Sequence, residues 1–237
     1  MRFSRLFLNR LPDRPIAGDA VVVIDVLRSF TTAAVAFARG AVAVYPVESP
    51  AKAAELLGNL EHSVSAGAVA GGDPVPGFDF GNSPHELMQA ELVGKGVVLS
   101  TAAGVRGLHL FRQAPSLYAA SLVCARATAE AIRDTGAEEV CFVITGEYLD
   151  RDGDEDVACA DYIESLLRGE SAAPEDFARR VRESDFGRRF AAGTWPHLRR
   201  EDLELCARVD GFGFAMPVKR EADRLVIQRT PAGRSGS

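Results

Sequence analysis

The sequence predicts an α/β fold of three layers, a mostly parallel sheet with helices on both faces. Three observations carry this. Short β-branched runs alternate with alanine-rich or amphipathic segments, as in successive βαβ units. Several of those runs are apolar at every position rather than at every second one, as strands buried on both faces are. The chain has 237 residues, 47% of them hydrophobic and 25% charged, enough for one sizeable core. A single domain is therefore expected over residues 1–229, followed by a disordered Gly/Ser/Arg-rich tail over 230–237.

The elements follow in order. Residues 20–24, Ala-Val-Val-Val-Ile, read as the first strand, and residues 31–39 as a helix that Gly40 ends. Residues 41–47 make a second strand. Ser49 is placed to cap, and Pro50 to open, a helix running to about residue 59. Residues 64–69 are a weaker strand. The Gly/Pro-rich stretch 71–84 is too irregular for an element and too long for a passive turn, so it reads as a functional loop. A helix then starts at Ser83-Pro84 and runs to about residue 92. Strands at 96–100, 116–120 and 139–145 alternate with helices at 102–112, 125–134 and 156–167. The pattern then changes. Helices near 174–182, 185–192 and 201–209 precede two short strands near 212–218 and 225–228, read as closing the same domain.

Composition removes several function classes. A net charge of -6 argues against a nucleic-acid binder, which needs a basic face to neutralise phosphates. Cys124, Cys141, Cys159 and Cys206 form no C-x-x-C pair and have no histidine at zinc-site spacing. They fit a reduced, cytoplasmic setting. Residues 1–10 carry arginines without a long apolar stretch, so no signal peptide is read there. No apolar run approaches the ~20 residues of a membrane helix. A P-loop, a G-x-G-x-x-G turn and a G-x-S-x-G elbow are all missing. Leu27 stands where a haloacid dehalogenase-type phosphatase carries its second aspartate, and no cysteine sits in a C-x5-R loop. The four histidines, at 62, 85, 109 and 197, are scattered.

In open parallel sheets ligands bind beyond the carboxyl ends of the strands, and four such loops are polar here. In 25–32, Asp25 ends an apolar strand as a metal ligand or nucleophile would, and Arg28 could fork onto an acid group. Thr31 and Thr32 lie where a helix begins. The alternative is that Asp25 caps a turn and pairs with Arg28. In 77–84, Asp79 and Asn82 offer oxygens suited to a hard cation such as magnesium, whereas Ser83 could serve only as a helix cap. Loop 100–106 is a strand-to-helix turn holding Thr101, Gly104 and Arg106. Loop 145–156 is rich in carboxylates. Glu155 and Asp156 are either cation ligands or caps of the next helix, and Asp150 and Asp152 read as solvated.

Together the strings V-V-I-D-V-L-R-S-F-T-T (22–32), P-G-F-D-F-G-N-S-P (76–84), T-A-A-G-V-R-G-L (101–108), E-D-V-A-C-A-D (155–161) and D-L-E-L-C-A-R-V-D (202–210) resemble the 2-phosphosulfolactate phosphatase family. The resemblance implies magnesium-dependent hydrolysis of a phosphate monoester on a small sulfonated acid, giving 3-sulfolactate, a step of coenzyme M synthesis. Such chemistry rests on a cation and oriented donors around a dianionic phosphate. Asp25 and Arg28 become the expected catalytic residues. Asp25, Asp79, Glu155 and Asp156 become the expected magnesium ligands. Thr31, Thr32, Asn82, Ser83, Thr101, Gly104 and Arg106 are expected to hold the small anionic substrate. The partners expected are that substrate and a second copy of the chain in a homo-oligomer, not nucleic acid or membrane.

This chain departs from the family's usual strings. Phe30, Ala102, Ala103 and Val105 replace polar residues, Gly153 stands for a serine, Gly67-Ala68 stands near a missing Gly-Glu pair, and an asparagine near Cys124 is absent. The departures keep two other readings open: a non-catalytic anion-binding homologue, and a hydrolase or lyase acting on a different phosphorylated metabolite.

Overall fold

The computed structural model describes residues 1–12, 18–147, 150–193 and 195–231. The elements in chain order are β1 (Arg2–Phe7), β2 (Ala20–Ile24), α1 (Ser29–Ala38), β3 (Ala43–Pro46), α2 (Pro50–Leu57), β4 (Ser63–Gly67), β5 (Phe80–Gly81), α3 (Pro84–Met88), β6 (Gly96–Ser100) and α4 (Gly104–Leu110). They continue with β7 (Ser116–Ala120), α5 (Ala125–Asp134), β8 (Glu139–Ile144), α6 (Asp154–Arg168), α7 (Pro174–Glu183), α8 (Asp185–Ala192), α9 (Arg200–Cys206), β9 (Phe214–Glu221), β10 (Arg224–Ile227) and β11 (Thr230–Pro231).

The strands form one mixed, mostly parallel sheet in the order β1-β8-β2-β7-β9-β10-β3-β6-β4-β5, with β11 beside β9. One block, β1-β8-β2-β7, is parallel throughout. A second, β3-β6-β4-β5, is parallel too. The antiparallel β9–β10 pair joins them. The C-terminal strands therefore close the domain from inside the sheet rather than as an added layer. β2 lies between β8 and β7 and is wholly buried, which accounts for its unbroken apolar run.

Val21 and Val23 on one face of β2 share a core with Val44, Val97 and Leu99 of the second block and Ile227 of β10, around α1 and α4. Val22 and Ile24 on the other face pack with Phe142, α5 and α6. The sheet therefore curls until both blocks face the same helices. The outer face of the second block is covered by α2 through Val98 and Ala53. This curl brings the turns after β2 and β6 together, although the antiparallel join sets the two blocks in opposite directions along the ladder.

Three strands depart from expectation, β1, β5 and β11. β1 escapes the pattern because it is an edge strand with charged residues at Arg2 and Arg5, and its packed apolar residues divide between two faces, Phe3 and Phe7 on one and Leu6 on the other. Arg2 instead pairs with Glu139 across the β1–β8 ladder. β5 has only two residues and lies inside the loop 71–84. The helix expected to reach residue 92 stops at Met88, with a cap at Gln89. Of the tail, residues 230 and 231 pair with β9, and 232–237 lie outside the described residues.

Phe142 is fully buried in the core beneath α5 and α6. Phe142→Ala should lower unfolding free energy by about 3–5 kcal/mol, read by urea denaturation. A loss under about 1 kcal/mol would show that this face is not the packed core described.

Candidate active site

The turns after β2, β4, β6 and β8 and the N-terminal part of α8 surround a cavity of about 370 Å³. Its lining includes Asp25, Ser29, Asn82, Thr101 and Arg151. The lining carries three arginines, Arg28, Arg151 and Arg189, against two aspartates, Asp25 and Asp150. Cationic side chains therefore gather there although the chain is acidic as a whole, two of them already ion-paired, Arg28 with Asp202 and Arg189 with Asp150. Trp195, the one tryptophan of the chain, stands half exposed at its wall.

Asp25 is held from two sides. Its Oδ1 accepts the Ser29 N–H at 3.0 Å and its Oδ2 the Gly104 N–H at 3.0 Å. A Cβ on residue 104 would stand 2.7 Å from that Oδ2, so only glycine lets α4 approach the carboxylate. The Ser29 hydroxyl reaches Thr101 Oγ1 at 3.0 Å, tying the same two turns again. Burial pushes the Asp25 carboxyl upward, against the hydrogen bonds from Ser29 and Gly104 and the charge of Arg151.

Behind Asp25 lies a second carboxylate. Asp156 Oδ1 accepts the Val26 N–H at 2.8 Å. Its Oδ2 faces the Thr145 N–H at 3.0 Å, the Gly146 N–H at 2.7 Å and the Thr145 hydroxyl at 3.2 Å. Burial first, then Glu155 and Asp25, push its carboxyl well up. Beside it Glu155 is buried, and its Oε2 has no hydrogen-bond partner among the described residues. A Cβ at Gly146 would stand 2.5 Å from Glu155 Oε1, so that carboxylate would have to shift to admit one. Burial pushes the Glu155 carboxyl up to about 7, against the opposing pull of its own backbone amide, Ser184 and Arg151.

A third buried carboxylate, Asp202 of α9, was not singled out from sequence. Its Oδ2 takes Arg28 Nη1 at 3.0 Å, and its Oδ1 takes the Ser83 hydroxyl at 2.7 Å and the His85 N–H at 2.9 Å. Arg28 also donates to the carbonyls of His197 at 2.6 Å and Gly72 at 3.2 Å. Its guanidinium is thus spent on three-way fastening of loops, with Phe190 under it at 5.4 Å. The signal was present in the string 202–210, whose aspartate opens a helix that returns to the Asn82-Ser83 turn.

The remaining expected residues divide clearly. Asn82 and Thr101 line the cavity with Asp25, and the buried Asn82 Oδ1 has no partner among the described residues. Ser83 caps α3, accepting the Glu86 N–H at 3.2 Å. Thr31 and Thr32 are fully buried within α1; Thr31 bonds the Val26 carbonyl at 2.8 Å and meets Ser121. Arg106 lines a neighbouring cavity instead. Asp79 accepts the Ser65 N–H and hydroxyl at 2.8 and 2.7 Å, fastening β4, and does not line the cavity of Asp25. Tyr148 and Leu149 of the acidic loop lie outside the described residues. From that loop Arg151, unread in the sequence, reaches the cavity with its guanidinium 4.4 Å from the Phe186 ring.

The 2-phosphosulpholactate phosphatase family model matches residues 7–220. The chain belongs to that family. A Thermus thermophilus relative named probable 2-phosphosulfolactate phosphatase is 37% identical over 179 residues, covering 74% of this chain and 73% of its own. A Bacillus subtilis relative of the same name is 28% identical over 212 residues, covering 89% and 92%. A Carboxydothermus hydrogenoformans relative, named alike, is 41% identical over 148 residues, covering 62% and 60%.

The family implies a hard cation, and the donors test that. Among the described residues no three His, Cys, Asp or Glu side chains gather as a metal cage. Asp156 already accepts three N–H groups and faces a hydroxyl, close to the about four lone-pair sites of a carboxylate. What fits is a hard cation taking one or two protein oxygens and completing its shell with phosphate and water. Asp25 and Asn82, whose Oδ1 has no partner among the described residues, both line the cavity and carry such oxygens.

Glu155 makes a test of the electrostatics. Its folded pKa lies above the ordinary 4.5, so the folded chain binds the extra proton between the two values. The stability this adds is complete below about 4.5 and is lost as pH rises through about 7. In chelator, Glu155→Gln should exceed wild type by on the order of 2 kcal/mol at about pH 8, the gap closing toward about pH 5. Thermal and urea unfolding across pH would read this. A pH-independent gap would contradict the buried, uncompensated carboxylate.

Proposed function

We propose that this protein is a cytoplasmic, magnesium-dependent phosphatase that hydrolyses the phosphate monoester of a small acid, with 2-phosphosulfolactate as its substrate and 3-sulfolactate as the acid released. The observation that carries this is the Asp25 carboxylate pinned by two backbone N–H groups in a cavity whose lining is otherwise net cationic. That combination suits a dianionic phosphate with a hard cation beside it. The relatives' shared name supports the same substrate. Among the described residues no helix is long and apolar enough to cross a membrane. We take residues 1–229 to act as one domain.

Asp25 and Asn82 would hold magnesium, which supplies charge stabilisation on the phosphoryl oxygens when bound. The chain's own groups supply the rest. Arg151 presents a guanidinium to the phosphoryl group, a planar donor suited to tetrahedral oxyanions. The hydroxyls of Ser29 and Thr101, already fixed to each other, present hydrogen-bonding edges at the same wall. Water is the nucleophile in this reading. Its oxygen bonds to phosphorus as the ester P–O bond breaks, and the products are inorganic phosphate and the hydroxy acid. Asp25 is a poor nucleophile here, because swinging it in line would break one of its two N–H bonds. Arg28, buried against Asp202, acts as a positioning residue that joins the first loop to Gly72 and α9.

The test is phosphate release from 2-phosphosulfolactate, with magnesium or with chelator, beside Asp25→Asn. Release that needs magnesium and falls about 10³-fold or more in the variant is expected. Tight binding of the ester without release, by folded wild-type protein, would make the chain an anion-binding homologue instead.

A further inference from the structure

Three successive residues of the acidic loop are fastened to one helix, α8. Arg189 Nη2 donates to the Asp150 carboxylate at 2.8 Å and to the Asp150 carbonyl at 2.9 Å. The Arg151 guanidinium stands 4.4 Å from the centre of the Phe186 ring. Asp185 Oδ2 accepts the Asp152 N–H at 3.1 Å, and Asp152 Oδ1 accepts the Asp185 N–H at 3.3 Å in return. The helix is itself fixed. Its cap, Ser184, accepts the Gly187 N–H at 3.0 Å and donates to the Val181 carbonyl at 3.0 Å. A Cβ at residue 187 would stand 2.1 Å from that carbonyl oxygen, so the turn from α7 into α8 closes to backbone contact. One turn along α8 from Phe186, the buried Phe190 ring meets it edge-on with centres 5.1 Å apart. This pair of rings thus underlies two arginines of the cavity, Arg151 at Phe186 and Arg28 at Phe190.

We propose that Phe186 is a positioning residue, whose ring, braced by Phe190, seats the Arg151 guanidinium in the Asp25 cavity before substrate arrives. This rests on the phosphatase reading, in which Arg151 meets the phosphoryl group, and adds the residue that acts through it. A long side chain gives up rotamer freedom when it grips an anion. An arginine already seated on an aromatic face gives up less, so more of its attraction for the phosphoryl oxygens is left for the reaction. Arg189 and Asp185 serve the same end by holding the backbone on either side of Arg151. Phe186 also lines the cavity, so direct contact with the substrate is the competing explanation. The two differ in one respect: a residue that works through Arg151 has nothing to work on once that guanidinium is removed.

Steady-state phosphate release from 2-phosphosulfolactate tests this in wild type, Phe186→Leu, Phe186→Tyr, Arg151→Gln and the double variant Phe186→Leu/Arg151→Gln, with urea midpoints to show that each is folded. Phe186→Leu keeps apolar bulk and loses the ring face, so kcat/KM should fall about fivefold or more. Phe186→Tyr keeps the face and should stay within about twofold of wild type. In the Arg151→Gln background Phe186→Leu should change kcat/KM by less than about twofold. Arg189→Gln, alone and with Arg151→Gln, carries the same expectation if Phe186→Leu does not fold. A Phe186→Leu loss that persists undiminished without Arg151, a loss equally large in Phe186→Tyr, or no loss at all would overturn the proposal. No release from any phosphate ester by wild type would instead defeat the phosphatase reading. Calorimetric titration with inorganic phosphate then decides the positioning alone: binding that Phe186→Leu weakens only while Arg151 is present supports it, and binding that is absent, or unchanged by Phe186→Leu, overturns it.

Discussion

The site depends on one buried carboxylate that faces no substrate. Asp156, 1% exposed, gathers Val26, Thr145 and Gly146 onto two oxygens. Those residues belong to the turns after β2 and β8, and Asp156 itself opens α6. A buried acid is tolerated only where hydrogen bonds replace its water, so the three segments must close on it together. Once they do, Asp25 stands at the end of β2 with Ser29 and Gly104 within reach. Burial and crowding of three acids are the cost, and their upward-shifted carboxyls are its expression.

Asp202 does for the opposite wall what Asp156 does behind Asp25. Through Arg28, Ser83 and His85 it joins α9 to the first and second loops. A buried pair of this kind adds little net stability over an apolar replacement, yet removing one partner strands the other at about 3–5 kcal/mol. Its use here is geometric. The last helix of the chain clamps loops met far earlier in the sequence, and the β9–β10 pair then stitches the two parallel blocks across the sheet.

Much of this was legible from the sequence. Val21 to Ile24 could only be a doubly buried strand, and Asp25 at its end was the natural start of a site. Gly104 and the Asn82-Ser83 turn were legible as motifs. The residues that escaped notice did so for physical reasons. β1 divides three apolar residues between its two faces and interrupts them with Arg2, Ser4 and Arg5, too few for a pattern. Arg151 sat in an acidic loop whose charges read as solvated, and only the curl of the sheet turns it toward Asp25. Asp202 looked like any acid in the first turn of a helix, because a buried ion pair with Arg28, 174 residues away, leaves no local trace. Asp79 differs in the other direction: its oxygens suit a cation, but Ser65 takes its Oδ2 and the side chain does not line the Asp25 cavity.

A crystal structure grown with magnesium and inorganic phosphate tests the central claim most directly. The account predicts a cation on Asp25 and Asn82, with phosphate against Arg151, Ser29 and Thr101, and Asp156 keeping its backbone partners unchanged. A cation carried by Asp79, or phosphate lodged in the groove between α3 and α9 lined by Arg200 and Arg208 while the Asp25 cavity stays empty, would contradict it.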